Sequence, residues 1–244
     1  MSAPLAFLLA IRYNPASNRS GEKMTGTEAR SAPGLHHEAA LAAAGFRLIA
    51  GVDEAGRGAW AGPLIAAAVV LPPASNGTTD RLLADRAGVN DSKQLSPRQR
   101  EALLAPIARH AVAIGIGQVE ALELDAIGLG AANRLAWQRA IAALPQAPDY
   151  LLLDAFRLPA LATPQTAIVR GDGESLSIAA ASIVAKVTRD RLLAALDRAH
   201  PAYGFARHKG YGTVAHHAAL RAHGPCAAHR RSFAPLRALA AGTP

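Results

Sequence analysis

From Phe46 onward, short apolar runs alternate with longer stretches whose apolar residues recur at helical spacing, the pattern of an α/β chain. Runs at 47–52 and 64–71 predict neighbouring strands joined across a Gly-rich turn, and further strands are predicted at 112–118, 150–153 and 167–169. A helix is predicted over 97–110, with Ser96 as N-cap and Pro97 at the first helical position, where its missing N–H has no intrahelical partner to lose. A second helix is predicted over 131–144 and a long one over 175–199, which His200 and Pro201 end; helical character resumes around 214–222. No internal repeat is present. The order predicts one mixed β-sheet flanked by helices, with a helical C-terminal extension from about residue 198.

Ahead of Phe46 the pattern fails. Residues 1–33 mix Ser, Asn, Gly, Thr and Pro without sustained periodicity, the composition of a disordered tail, which leaves 34–244 as the folded domain. Met24 is an alternative start. The apolar stretch 5–11 is too short to span a bilayer and lacks a preceding positive region and a small-residue cleavage site, so neither signal peptide nor membrane segment is expected. The 244 residues are 50% apolar, enough for a sizeable core, but only 5% aromatic, so closely packed Ala-rich helices are expected. The single cysteine, Cys226, excludes an intrachain disulfide and a Cys-based metal site, and fits a reducing, cytoplasmic setting.

Charge changes the picture through its placement. The last acidic residue is Asp197; Arg198, Arg207, Lys209, Arg221, Arg230, Arg231 and Arg237 follow without a carboxylate, so seven of the eight net positive charges lie in this segment, with six of the nine histidines. A one-signed region on an otherwise balanced globule attracts a polyanion, and nucleic acid is the commonest. A basic surface that serves only solubility is the alternative.

Carboxylates stand at the carboxyl ends of three predicted strands, where open α/β sheets gather ligands: Asp53 and Glu54 after the first, Asp154 after another, Asp172 just beyond a third. If these strands are neighbours, the four converge on one patch. Crowded carboxylates repel one another, so such a patch binds a cation or takes up a proton, and hard oxygen ligands favour Mg²⁺ or Mn²⁺. Two such ions clamp the attacking and leaving oxygens of a phosphodiester displacement. As sequence neighbours, Asp53 and Glu54 point to opposite strand faces, so both reach the ions only if the strand breaks there, a break that Gly56 and Gly58 are expected to supply. Each acid also reads as a strand-end cap or a surface charge.

The segment Gly56-Arg57-Gly58 lets backbone groups approach a ligand closely and so read a ribose 2′-OH, although an ordinary turn has the same composition. Asn90, Asp91, Ser92 and Lys93 precede a helix and offer a phosphate cradle or a capping loop. Lys186 and Arg189 share a helix face, where they track phosphate or pair with Asp190 or Asp197. Tyr211, within His208-Lys209-Gly210-Tyr211, is placed to stack on a sugar or base or to be buried in the core. His229-Arg230-Arg231-Ser232-Phe233 reads as a basic loop with Phe233 as an anchor.

Taken together and in this order, the run from Gly51 to Gly58 (GVDEAGRG), Asn90-Asp91-Ser92-Lys93, Asp154, Gly171-Asp172, the run from Ser177 to Asp190, Tyr203-Gly204-Phe205 with His208 to Tyr211, and the run from His229 to Pro235 resemble the ribonuclease HII family over about residues 47–240. The resemblance implies a ribonuclease H-like fold; a monomer is expected, although no residue pattern bears on oligomeric state. It also implies a site in which Asp53, Glu54, Asp154 and Asp172 hold two Mn²⁺ or Mg²⁺ ions, and hydrolysis leaving 5′-phosphate and 3′-hydroxyl ends. It further implies that Gly56, Arg57 and Gly58 recognise the 2′-OH at an RNA-to-DNA junction, that Tyr211 stacks on the following deoxyribose, and that Asn90, Ser92, Lys93 and Lys186 contact substrate. The substrates implied are RNA–DNA hybrids and duplex DNA containing ribonucleotides. Two departures stand out: Ala59-Trp60 occupies a place where the family usually has Pro-Leu, and Ala155 one where Gly usually follows the third carboxylate. The competing readings are another two-metal nuclease such as an exonuclease, the related type 3 ribonuclease H, and a basic nucleic-acid-binding protein without catalysis.

Overall fold

In the computed structural model, residues 33–73 and 95–241 are described. They belong to the unit Ala32–Pro244. The predicted tail and the motif Asn90 to Lys93 lie outside the described residues. The elements are α1 (His36–Ala43), β1 (Ile49–Ala55), β2 (Leu64–Val70), α2 (Pro97–His110), β3 (Ala113–Val119), α3 (Ala121–Ile127), α4 (Leu129–Ala142), β4 (Tyr150–Asp154), β5 (Gln165–Ile168), a 3₁₀ turn (Gly171–Gly173), α5 (Leu176–Ala199), α6 (Phe205–His208), α7 (Val214–His223) and α8 (Ala234–Ala240). The five strands form one mixed sheet in the order β3-β2-β1-β4-β5. The first three are antiparallel, while β4 and β5 run parallel to β1.

Alternation along β1 assigns the two faces of the sheet. Ala50 and Val52 join Leu64, Ala66, Leu151, Leu153 and the α4 residues Ala136, Trp137 and Ala140 in one core. Gly51, on the other face, lies against α5 so closely that a Cβ there would overlap the backbone of Ser177 and Ile178. Close packing of strand on helix explains why the buried half of α5 is built from Ala, Ser, Ile and Val. On β3, Gly115 and Gly117 do the same for α4, whose carbonyls of Ala140 and Ala136 fill the space of a side chain. A separate core of Ala61, Leu193, Tyr203, Phe205, Leu220 and Leu236 joins the C-terminal helices to the turn between β1 and β2.

Several expectations are met to the residue. Helix α2 begins at Pro97 with Ser96 closing a capping box with Gln99, and α5 ends at Ala199 with His200 as its cap. Others are corrected. Strand β5 covers Gln165–Ile168 rather than 167–169, because its ladder ends where Asp154 pairs with Ile168 and the chain then turns through Arg170 in the left-handed region. Helices α1 and α3 were not predicted. Helix α4 starts at Leu129, since Gly128, at φ 80°, separates it from α3. Nor does the first strand break at the acidic pair: Asp53, Glu54 and Ala55 all stay in register with β2, opposite Ala67, Ala66 and Ile65, and the turn begins only at Gly56, φ 91°. No helix among the described residues is long and apolar enough to cross a membrane.

Candidate active site

Because β1 stays regular, Asp53 and Glu54 leave opposite faces of the sheet. The charge of Asp154 nevertheless acts on both, so the two carboxylates flank one strand-end edge without the break expected from the sequence. Asp53 sits on the α5 side, 5% exposed; it accepts the Glu54 amide at 2.6 Å and a hydrogen bond from Ser182 of α5. Glu54 sits on the α4 side and accepts the indole N–H of Trp137 at 2.9 Å. Asn133, also on α4, is buried without a hydrogen bond of good geometry, yet lies close enough to Glu54 to favour its charged form. Parallel pairing of β1 with β4 carries Val52 against Leu153, so Asp154 arrives one residue further along, beside Asp53. Asp172 rides on the 3₁₀ turn, 4% exposed, and the amide of its neighbour Gly171 donates to Asp154 Oδ1 at 2.8 Å.

Crowding of like charge is the electrostatic signature of this corner. Burial first, then the carboxylates of Glu54 and Asp154, hold the Asp53 pKa well above the ordinary carboxylate range. Glu54 is raised as well, by burial more than by Asp154, against the lowering effect of Asn133, Trp137 and Arg57. Arg57 comes no closer than 3.9 Å to Glu54 and is half exposed. Among the described residues, the trio of potential ligands whose atoms all lie within 4.8 Å of one another is His36, His37 and Glu174, not three of the strand-end acids.

The turn that follows Glu54 is braced by two buried guanidiniums, both 0% exposed. Arg230 donates to the carbonyls of Gly56 (2.7 Å), Arg57 (3.1 Å) and Gly62 (3.0 Å). Arg189 donates to Pro63 (3.0 Å), Ala61 (2.9 Å) and Lys209 (2.9 Å). Gly56 has no room for a Cβ beside Arg189, whereas a Cβ on Gly58 would meet nothing within 4 Å. The same brace reaches the Tyr211 loop, whose Gly210 carbonyl accepts the Trp60 amide at 2.8 Å. Tyr211 is 37% exposed, with Lys186 Nζ 5.8 Å and Arg189 Cζ 5.5 Å from its ring centre.

Two expectations change as a result. Arg189 is a structural cation turned inward, not a phosphate contact, while Lys186 pairs with Asp190 at 2.6 Å. Arg230 and His229 of the supposed basic loop are likewise buried. The Trp60 departure is absorbed locally: its indole fills the space that a side chain on Gly212 would need and packs against His216 and His217.

Pattern reading missed Trp137, Asn133 and Ser182 as partners of the acids. Trp137 carried a usable signal, since a tryptophan on an apolar helix stripe still needs an acceptor for its N–H. Ser182 was one of few polar residues in an apolar helix half.

The family model described as Ribonuclease HII matches residues 50–236. A ribonuclease HII of Chloroflexus aurantiacus is 54% identical over 204 residues, covering 84% of this chain and 94% of that protein. One from Geobacillus thermodenitrificans is 52% identical over 203 residues, covering 83% and 74%. Among solved structures, the ribonuclease H2 of Pyrococcus horikoshii superposes with a TM-score of 0.66 at 26% identity, covering 80% of this chain and 98% of that one. The chain therefore belongs to the ribonuclease HII family, hydrolases that cut the RNA strand of RNA–DNA hybrids.

Proposed function

We propose that the chain also incises duplex DNA 5′ to a single embedded ribonucleotide, using two divalent ions held by Asp53, Glu54, Asp154 and Asp172. The observation that carries this is the gathering of Asp53, Glu54 and Asp154, with Asp172 one residue from the Gly171 amide bound to Asp154, beside a braced turn that lies open at Gly58. The donor set fits the ions: a cluster of carboxylate oxygens suits hard Mn²⁺ or Mg²⁺. When bound, the ions supply Lewis acidity toward the attacking and leaving oxygens of the phosphodiester.

The chain's own residues position the substrate. Backbone groups of Gly56, Arg57 and Gly58, fixed by Arg230, read the ribose 2′-OH, which is both donor and acceptor. Tyr211 stacks on the next deoxyribose, and Lys186 beside its ring meets the adjoining phosphate. The contribution of Asn90, Ser92 and Lys93, a phosphate cradle, rests on the sequence motif alone. Trp137 and Ser182 position Glu54 and Asp53 without touching substrate.

A duplex carrying one ribonucleotide, with Mn²⁺ or Mg²⁺, tests this directly. The expected product is a nick that leaves a 3′-hydroxyl and a 5′-phosphate on the ribonucleotide, with all-DNA duplex intact. Asp53→Asn and Asp154→Asn should each lower turnover about 100-fold or more while duplex binding persists. Intact ion uptake without incision refutes the proposal, and release of mononucleotides from an end points to an exonuclease instead.

A further inference from the structure

We infer that His36, His37 and Glu174 form a second cation site, built for a borderline first-row transition ion such as Zn²⁺. One ligand atom from each residue lies within 4.8 Å of the other two. A tetrahedral shell with bonds of about 2.0–2.2 Å places its ligands about 3.4 Å apart, so closure needs only small side-chain movements. The two imidazoles come from the first turn of α1, with ring centroids 4.0 Å apart, and the carboxylate follows the Gly171–Gly173 turn.

These two segments are already locked together. Gly34 N–H donates to the Glu174 carbonyl at 3.2 Å, and Leu176 N–H donates to that of Gly34 at 2.8 Å. Buried Glu38 Oε1 accepts from Ser175 Oγ at 2.6 Å, Ser177 N at 2.9 Å and Ser177 Oγ at 2.7 Å. The site is therefore largely preorganised, and ion binding orders side chains rather than chain segments. His37 is half-buried while His36 and Glu174 are exposed, which leaves an entry path and open coordination positions for water.

The donor set separates this site from the strand-end carboxylates. Two nitrogens and one carboxylate suit Zn²⁺, Co²⁺ or Ni²⁺, whereas Mg²⁺ prefers an oxygen shell and keeps its waters. An ion here cross-links α1 to the segment that bears Asp172, so it stabilises the fold by mass action.

The test uses the full chain carrying Asp53→Asn and Asp154→Asn, so that the all-carboxylate site is weakened. Zn²⁺ is titrated by calorimetry and Co²⁺ by its visible d–d absorption. The expected result is one equivalent bound, unaffected by excess Mg²⁺, with a Zn²⁺-dependent rise in Tm. Adding His37→Ala or Glu174→Gln should weaken binding about 10-fold or more and abolish that rise, while the melt in chelator matches the parent. Absence of stoichiometric binding in the parent, or binding untouched by either substitution, overturns the site; the latter result places the ion elsewhere among the nine histidines.

Discussion

Ala155 holds a backbone angle of φ 66° immediately after the third strand-end carboxylate. Left-handed geometry at a residue with a Cβ costs about 1–2 kcal/mol, which glycine avoids. The conformation is imposed from both sides: the Ala155 amide donates to the Ile168 carbonyl at 2.9 Å, and Phe156 N–H turns back to the Asp154 carbonyl at 2.9 Å. The sequence showed the departure from the family's usual glycine; the strain became visible only in φ. Ala155→Gly is expected to stabilise the chain by about 0.5–1 kcal/mol, after the larger unfolded-state entropy of glycine is subtracted, raising Tm by roughly 1–4 °C. A thermal melt checks this, and a lower Tm would show that the alanine is held without strain. Asp53 and Glu54 were legible as candidates from their place at a strand end. Their separation onto two faces was legible as well, from their adjacency in a strand; that Ser182 holds one and Trp137 the other was not, because it depends on which helix covers which face.

At the scale of elements, two glycines near the acids make opposite demands. A Cβ on Gly51 would overlap the α5 backbone at Ser177 and Ile178, neither of which can rotate away. Gly51→Ala therefore has to push β1 and α5 apart, at a cost of about 1–3 kcal/mol. The same movement separates Asp53 from Ser182, and a displacement near 1 Å in a catalytic group lowers turnover about 100-fold. A Cβ on Gly58 meets nothing within 4 Å, so Gly58→Ala is expected to leave Tm unchanged while incision at a ribonucleotide falls, because the added methyl points where the sugar is proposed to sit. Paired melts and nicking assays check both, and a Gly58→Ala enzyme of full activity would remove that turn from ribose recognition. Element boundaries were legible where the chain carries its own stop signals, as at Ser96-Pro97 and His200-Pro201. They were missed where tertiary contacts decide. Helix α1 has little amphipathic character and is secured by Glu38 docking on Ser175 and Ser177, more than a hundred residues away. No local pattern encodes that pairing.

For the whole molecule, the C-terminal segment is as much a clamp as a basic surface. Arg230 reaches the carbonyls of Gly56 and Arg57, and His229 lies in a buried chain of rings: its Nε2 is 3.0 Å from His216 Nε2, and His216 stacks on His208 with centroids 4.3 Å apart. Around them stand Trp60, Tyr203, Phe205 and His217, with Cys226 Sγ 3.2 Å from His229 Nδ1. The charges acting on the pair, from His200, His208, His217 and Arg231, all disfavour a further proton. Burial is the larger cause, and both rings are lowered from 6.5 to about 4. Folded pKa values below the unfolded ones mean that the unfolded chain binds more protons between pH 6.5 and about 4, so this stability is full above pH 6.5 and is lost as pH falls through that window. The loss amounts to roughly 2 kcal/mol per ring by pH 5, less where the shared hydrogen bond couples them. Asp53 acts in the opposite direction, since its raised pKa lets the native state gain stability on acidification. In an Asp53→Asn, Glu54→Gln background, where neither raised carboxylate offsets the histidines, Tm is expected to fall by several degrees from pH 7.5 to pH 5, and by clearly less once His229→Gln is added. Because the clamp holds the Gly56 to Pro63 turn, nicking in the wild-type chain should fall reversibly over the same window. A flat Tm across that range would mean that the two rings take up protons without loosening the C-terminal helices from the turn.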